Sequence, residues 1–200
     1  FAKFKREKSN AKIVAITGSA GKTSLKDMLY TLLKSFKNTF ASPRSFNNHY
    51  GVPLSLSNLN FDHEIGIFEV GMSHLGEVNK LSKIIKPNLA IITNIAEAHI
   101  ENFKNIKGIA KAKSEIIDNI EKNGTVILNR DDNFFNFLSK KAKHKNIKII
   151  SFGRSKGSDV RLVSTKKKDN FNSILIKFKN KKFKLNIKDI NIYNVLASFA

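Results

Sequence analysis

The sequence has no cysteine, few acidic residues and no long apolar run. Without cysteine the chain cannot form a disulfide framework, a thiolate zinc site or a cysteine nucleophile, and it suits a reducing compartment. No apolar run approaches the roughly 18 residues that a membrane-spanning helix needs. The chain also starts without Met or a signal-peptide pattern and stops inside an apolar stretch, so we expect it to be a piece of a longer protein.

Apolar and basic residues are plentiful. Hydrophobic residues make up 41% of the 200 residues, including 16 Phe, which is enough for the core of one large domain or two small ones. The formal net charge is +20. Residues 140–188 hold many lysines and only two acids, Asp159 and Asp169, and could form a nucleic-acid stripe. Because the Phe residues there have strand-like spacing, a solvated basic face is the preferred interpretation.

Apolar, β-branched runs alternate with segments of helical periodicity along most of the chain. The alternation predicts an α/β fold with a mostly parallel, P-loop-type sheet and helices on both faces. After Gly153 the pattern changes to an antiparallel meander at the sheet edge. The predicted strands are 12–17, 64–70, 89–93, 125–128, 147–152, 160–164, 173–178 and 182–187, and the predicted helices are 22–36, 76–85, 105–120, 132–142 and 190–200.

A glycine loop, GSAGKT at 18–23, lies between the first strand and the first predicted helix. Small residues let backbone N–H groups close around phosphate oxygens, and the helix N-terminus adds partial positive charge. Lys22 can reach the terminal phosphates and the Thr23 hydroxyl can bind Mg²⁺. The loop is a short GxxGKT form, because Ile16 stands where the eight-residue motif has its first Gly. The alternative is a Gly-rich turn with an incidental lysine.

Two further polar residues follow apolar strands. Glu69 lies at the carboxyl end of one strand, where open α/β sheets bind their ligands. It is a candidate metal ligand, although a lone Glu there can also be a helix cap or a surface carboxylate. His99 follows the strand that ends at Thr93 and is either a ligand or a structural histidine. Asp131 and Asp132 either start a helix or face a nucleotide, and Glu77 is interpreted as a first-turn carboxylate.

Six segments of the sequence match the motifs of one known family in order. They are TGSAGKTSLKDM at 17–28, NNHYGVPLSL at 47–56, EVGMSHLGE at 69–77, TNIAEAHIENF at 93–103, GIAKAKSEI at 108–116 and LNRDD at 128–132. Through these segments the sequence resembles the Mur ligases, ATP-dependent amide-bond ligases of peptidoglycan precursor synthesis, from about residue 11 to residue 200. Within the family, the serine of GSAGKT, the NNxxGVPL segment and the AKxEI segment point to the branch that adds D-Ala-D-Ala to a UDP-linked muramoyl tripeptide.

The resemblance implies a domain organisation and a reaction. Residues 1–200 are expected to be the central ATP-binding domain, with a UDP-binding N-terminal domain and a C-terminal domain lying outside this chain. The tripeptide carboxylate would attack the γ-phosphate of ATP to form an acyl phosphate, which the amine of D-Ala-D-Ala would then displace. The resemblance also implies a bacterial cytoplasmic enzyme, and we expect it to be monomeric when intact.

Residue roles are implied in the same way. Lys22, Lys113 and His99 would be catalytic, and Thr23 with Glu69 would hold one Mg²⁺. His99 and Lys113 would hold a second Mg²⁺, with Lys113 as a carbamate, because an ammonium would repel the metal. The nucleotide would contact Gly18, Ser19, Ala20, Gly21, Lys22, Thr23, Ser24, Asn191 and Asn194, and the UDP-linked peptide would face Asn47 and Asn48. The asparagines at 191 and 194 resemble an HNxxN segment in which Ile190 replaces the usual His.

Two alternatives remain open from the sequence. A related ligase, resembling cyanophycin synthetase or folylpolyglutamate synthase, would keep the ATP residues and use another acceptor. A basic P-loop module could instead bind nucleic acid and use ATP as a switch, in which case binding would depend steeply on salt concentration.

Overall fold

The computed structural model describes residues 1–98, 102–188 and 191–200. Within these ranges, the strands are β1 Lys12–Thr17, β2 Thr39–Ala41, β3 Ile65–Glu69, β4 Leu89–Ile92, β5 Thr125–Asn129, β6 Lys148–Gly153, β7 Val160–Lys168, β8 Phe171–Phe178 and β9 Lys181–Ile187. The helices are α1 Ala2–Lys8, α2 Lys22–Leu33, α3 Gly51–Ser57, α4 Glu77–Ile85, α5 Ile106–Ser114, α6 Phe135–His144 and α7 Ile192–Phe199. A 3₁₀ helix, Glu115–Asn119, follows α5 directly.

The strands form one sheet in the order β2-β3-β1-β4-β5-β6-β7-β8-β9. Pairing is parallel from β2 to β7 and antiparallel from β7 to β9. After β1 the chain forms β2 and β3 on one side of β1 and then crosses to form β4 on its other side. This makes β1 a topological switch point. The predicted α/β fold, with its antiparallel meander at the sheet edge, is confirmed.

Both faces of the sheet are covered by helices. In β1, Ile13 and Ala15 pack into the core shared with α3, α4, α5 and α6, whereas Val14 and Ile16 pack into the core shared with α2 and α7. Because successive side chains of a strand point to opposite faces, a strand buried on both faces must be apolar at every position. This explains the continuous apolar run of β1.

The structure contains elements that the periodicity did not predict. They are α1, β2 and α3, which have three to seven residues each. Such short segments contain too few repeats to show a period. Some boundaries also differ: α2 ends at Leu33, the helix predicted over 105–120 becomes 3₁₀ after Ser114, and β7 extends to Lys168. In the described ranges, no helix has the length and apolar character required to cross a bilayer.

Candidate nucleotide and metal site

The glycine loop lies at the switch point, between the end of β1 and the start of α2. Gly18 and Gly21 have positive φ values of 146° and 81°. A Cβ atom on Gly18 would lie 1.8 Å from the Thr93 side-chain oxygen, so a larger residue cannot fit there. Gly21 is the N-cap of α2, which places the loop at the positive end of that helix.

The segment after β4 holds the loop in place. The Thr93 hydroxyl donates to the carbonyl of Ala20 at 2.6 Å, and the Ala20 N–H donates to Asn94 Oδ1 at 2.9 Å. Ser19 is bonded to the same segment through its backbone and its hydroxyl. Thr93 and Asn94 belong to the TNIAEAH segment, but no local pattern in the sequence marks them as the residues that hold the loop.

Two lysine side chains converge on one backbone carbonyl. Lys22 Nζ and Lys113 Nζ donate to the Gly18 carbonyl oxygen at 2.9 Å and 3.0 Å. Burial, together with the nearby charge of Lys22, lowers the pKa of Lys113 to about 7. Burial also lowers the pKa of Lys22, while the negative charge of Glu69 acts in the opposite direction. Two lysine nitrogens at the mouth of a phosphate-type loop form an arrangement suited to a polyanion.

Glu69 is buried at the end of β3 and is held by two side chains. The Thr23 hydroxyl donates to its Oε2 atom, and Asn47 Nδ2 donates to its Oε1 atom, each at 2.8 Å. Only 2% of Glu69 is exposed. Glu69 is therefore neither a surface carboxylate nor a helix cap in this structure.

The oxygen atoms of Thr23 and Glu69 fit a Mg²⁺ ion. Mg²⁺ prefers hard oxygen ligands and is usually bound by one or two carboxylates together with water and substrate phosphates. In the described ranges no cluster of three His, Cys, Asp or Glu side chains could hold a metal. A site built from these two side chains would therefore take its other ligands from phosphates and water.

The second predicted metal site is only partly described. Lys113 lies in α5 with 2% exposure and reaches the glycine loop. His99 lies outside the described residues. Ser24, also predicted to contact the nucleotide, is exposed in the first turn of α2.

A cavity of about 780 Å³ opens on the Lys22 side of the loop. Asn47 and Asn48 both line it, but Asn48 Oδ1 also accepts the N–H groups of Tyr50 and Gly51, at the start of α3. Glu77 also lines the cavity and accepts two backbone N–H groups of the preceding turn, which agrees with its interpretation as a first-turn carboxylate. The lining includes Lys22, Asn47, Asn48, His49, Ser73, His74, Glu77, Lys80 and Lys113.

A second cavity, of about 340 Å³, lies on the other side of the loop. Asn194 Nδ2 donates to the Gly21 carbonyl at 3.2 Å, and Asn191 caps α7 by accepting the Tyr193 N–H. Asp131 and Asp132 also line the cavity, although both accept backbone N–H groups of neighbouring segments. Ile190 lies outside the described residues.

Comparisons with known proteins identify the family. The Mur ligase middle domain model matches residues 16–200. A UDP-N-acetylmuramoyl-tripeptide–D-alanyl-D-alanine ligase of Rickettsia prowazekii is 45% identical over 163 residues, which are 81% of this chain and 36% of that protein. The crystal structure of MurF from Acinetobacter baumannii superposes with a TM-score of 0.92 at 31% identity, covering 99% of this chain and 44% of the other. MurF ligase from Thermotoga maritima, in complex with ADP, gives a TM-score of 0.88 at 29% identity, covering 99% of this chain and 47% of that one.

The chain is thus similar to only part of each of these proteins. It spans about a third of the Rickettsia relative and less than half of the two solved structures. The family model nevertheless covers almost all of this chain, including the glycine loop, Glu69 and Lys113. The chain therefore belongs to the Mur ligase middle-domain family.

Proposed function

We propose that this chain is the central ATP-binding domain of a bacterial cytoplasmic ligase that joins D-Ala-D-Ala to a UDP-linked muramoyl tripeptide. The observation that supports this most directly is the buried Glu69 carboxylate bonded to Thr23 of the glycine loop. The names of the relatives supply the acceptor and the donor. In this proposal residues 1–200 form the ATP-binding unit, and other parts of the enzyme hold the UDP moiety and close over ATP.

The proposed reaction has two steps. In the first, a carboxylate oxygen of the tripeptide forms a bond to the γ-phosphorus of ATP, and the bond to the bridging oxygen breaks to release ADP. In the second, the amine of D-Ala-D-Ala forms a C–N bond to the acyl carbon and loses a proton, and phosphate leaves. Positioning and charge neutralisation dominate such a phosphoryl transfer.

The glycine loop and the residues beside it supply the positioning and the charge neutralisation. Backbone N–H groups at the start of α2 bind the phosphates, and Lys22 neutralises charge that develops on the γ-phosphoryl oxygens. Thr23 and Glu69 would hold a Mg²⁺ ion, and Asn47 fixes the orientation of the carboxylate through its bond to Oε1. A Mg²⁺ ion held there would supply positive charge that offsets the negative charge of the phosphates.

We further propose that Lys113 is carbamylated and, with His99, holds a second Mg²⁺. Carbamate formation joins the lysine nitrogen to the carbon of CO₂ with loss of a proton, so it requires the neutral amine. Lys113 is buried and shares the Gly18 carbonyl with the Lys22 ammonium, an environment that disfavours its own positive charge. The carbamate would replace a repelled cation with an anionic oxygen ligand.

The two cavities on either side of the loop suit the remaining ligand groups. Asn191 and Asn194 lie at the smaller cavity and are proposed to contact the adenine. Asn47 and Asn48 line the larger cavity and are proposed to face the UDP-linked peptide. In this proposal the γ-phosphate of ATP would lie between the adenine and the tripeptide carboxylate, as the first step requires.

An acceptor assay tests the proposed function. The intact enzyme that contains this domain is supplied with ATP, Mg²⁺ and the UDP-linked tripeptide, and with D-Ala-D-Ala, glutamate or single amino acids in parallel. We expect ADP release and a pentapeptide product, measured by mass, with D-Ala-D-Ala only. Preference for glutamate or a single amino acid would assign the domain to a ligase with another acceptor. ATP turnover that requires DNA or RNA would contradict ligation.

A further inference from the structure

Lys26 is a buried lysine that the proposed reaction does not use. It lies in α2, one helical turn after the glycine loop, and only 1% of it is exposed. Its ammonium donates to the carbonyl of Ser42 at 2.6 Å. The nearest carboxylate oxygen in its ion pairs, on Asp27, is 3.7 Å away on a half-exposed side chain. Buried lysines are rare unless they are paired, so the position of this ammonium needs an explanation.

Ser42 connects Lys26 to the strand that ends at Glu69. Ser42 immediately follows the edge strand β2, and its N–H donates to the carbonyl of Ile67 in β3 at 2.8 Å. Its hydroxyl accepts the N–H of Glu69 at 3.2 Å. The same serine therefore bonds β3 at two points and is itself held by Lys26 through its carbonyl.

The chain after Ser42 leads to the other group that holds the Glu69 side chain. Asn47 donates to Glu69 Oε1, and its carbonyl accepts the N–H of Gly71 just beyond β3. The path from β2 to Asn47 starts at the peptide group that Lys26 holds. Because β2 has only three residues and lies at the edge of the sheet, strand pairing alone gives this path little support.

We infer that Lys26 is a positioning residue that fixes Glu69 against Thr23, and so sets the affinity of the magnesium site, by clamping the end of β2. The inference rests on the proposed function for its metal. A charge-assisted hydrogen bond in a buried site is strong and directional, which suits a residue that must hold a backbone segment in register. Groups that orient a metal ligand commonly change metal affinity by about 10- to 100-fold when they are removed.

The test compares Lys26→Met with a matched control, Lys37→Met, in the intact enzyme that contains this domain. Lys37 is an exposed lysine whose ammonium bonds Glu64 at the start of β3, the opposite end of the strand from Glu69. The first measurement is hydrogen exchange. We expect the Ser42 and Glu69 amides to lose protection in Lys26→Met, relative to amides of the central strand β4, and to keep it in Lys37→Met. Unchanged protection of the Glu69 amide in Lys26→Met would overturn the inference.

The second measurement is the Mg²⁺ dependence of binding a non-hydrolysable ATP analogue. In Lys26→Met the Mg²⁺ concentration at half-saturation should rise about tenfold or more, with little change in the affinity measured without Mg²⁺. Equal loss with and without Mg²⁺ would indicate a merely structural lysine and would overturn the inference. If the unaltered intact enzyme shows no Mg²⁺-dependent binding of the analogue, the proposed function fails, whereas the hydrogen-exchange result still decides the role of Lys26.

Two further variants cover the case in which Lys26→Met does not fold. Lys26→Gln keeps a donor in a similar volume and should show a smaller rise in the Mg²⁺ requirement. Ser42→Ala removes only the hydroxyl that accepts the Glu69 N–H and should raise the Mg²⁺ requirement by itself. In the double variant Lys26→Gln/Ser42→Ala, the rise in the Mg²⁺ requirement should be smaller than the sum of the two single effects, because both substitutions act through Ser42. Full additivity, or no effect of either single variant, would contradict the clamp.

Discussion

Single residues of the site combine buried charges with neutral hydrogen-bond partners. Glu69 is held by an amide and a hydroxyl, while Lys22 and Lys113 share a backbone carbonyl. None of these contacts neutralises a charge directly. Because desolvated charges are costly without compensation, we expect the site to gain stability if phosphates and a metal ion bind there.

Removing the carboxylate charge of Glu69 should strongly lower the rate of ligation and leave the fold intact. Glu69→Gln keeps the shape of the side chain and one of its two hydrogen bonds, so we expect a loss of about 1 kcal/mol in unfolding free energy. Ligation in the intact enzyme should fall roughly a hundredfold or more, which corresponds to about 3 kcal/mol of transition-state stabilisation. Lys22→Ala should lower the rate of ligation by a similar factor. Glu64→Gln, an exposed control, should retain full turnover, and a Glu69→Gln enzyme of normal rate would show that Glu69 binds no metal.

Lys113 and Lys111 provide a second matched pair in α5. Lys113 is buried and Lys111 is exposed, so only Lys113→Ala should be inactive. A short carboxylate added to that variant should restore part of the rate by occupying the place of the carbamate. Incorporation of ¹³C-labelled CO₂, followed by NMR, should give a carbamate signal that Lys113→Ala loses. An active Lys113→Ala enzyme would contradict the proposal.

At the scale of elements, the functional groups are carried by the segments that follow the parallel strands. The glycine loop follows β1, Glu69 ends β3, and Thr93 and Asn94 follow β4. The order β3-β1-β4 brings these three strand ends together. Farther along the same edge, Asp131 follows β5 and joins the segment after β6 to α7 by accepting from the Arg154 N–H and the Tyr193 hydroxyl.

The stability that the Asp131 hydrogen bonds contribute should depend on pH. Burial acts to raise the pKa of Asp131, but hydrogen bonds from Ser155, Arg154 and Tyr193 outweigh it and lower the pKa. A carboxyl group with a lowered folded-state pKa contributes stability above its unfolded pKa of about 3.9, and that contribution is lost as the pH falls through the folded value. Asp131→Asn should therefore cost about 1 kcal/mol at pH 7, and the difference from the unaltered chain should close below about pH 4.

Denaturant unfolding at several pH values measures this effect. Asp169→Asn, at an exposed position in the β7–β8 turn, serves as the control and should show no such difference. A difference for Asp131→Asn that persists unchanged at low pH would mean that the carboxylate charge is not what joins these elements.

At the scale of the whole molecule, a net charge of +20 accompanies an apolar α/β core. Phe152 in the lysine-rich stretch is buried, and Phe183 packs against Phe199 of α7 at a ring-centroid distance of 5.3 Å. These aromatic rings serve the packing of the sheet and α7. Packing of these rings inside the molecule favours a solvated basic face over stacking on bases. The solvated basic face stays a prediction of the sequence.

The 200-residue chain alone should bind ATP·Mg²⁺ weakly and ligate nothing. Its glycine loop and Glu69 lie at the carboxyl ends of adjacent strands, and Lys113 reaches the loop from α5, so part of the ATP site can form. The acceptor pocket is expected in the portion of the relatives that this chain does not match, and alignment of reacting groups contributes on the order of 7 to 11 kcal/mol. The test supplies the chain with ATP, Mg²⁺, the UDP-linked tripeptide and D-Ala-D-Ala. Pentapeptide formed at enzymatic rates would show that the chain is catalytically complete.

The sequence by itself determined the fold class, the antiparallel meander and the position of the glycine loop between β1 and α2. It also placed Glu69 at the end of a strand. These features depend on neighbouring residues, because periodicity and loop chemistry are local. The family resemblance added Lys113, which no local pattern distinguished from Lys111.

Only the tertiary structure decided which of these residues meet. It showed that Thr93 and Asn94 hold the glycine loop, that Asn47 bonds Glu69, and that Lys26 is buried against Ser42. These contacts join residues 16 to 74 positions apart in the chain. They exist because the strand order places β3 and β4 on either side of β1, and hydrogen-bond partners at that separation depend on the order of the strands in space, which the local pattern of a sequence does not contain.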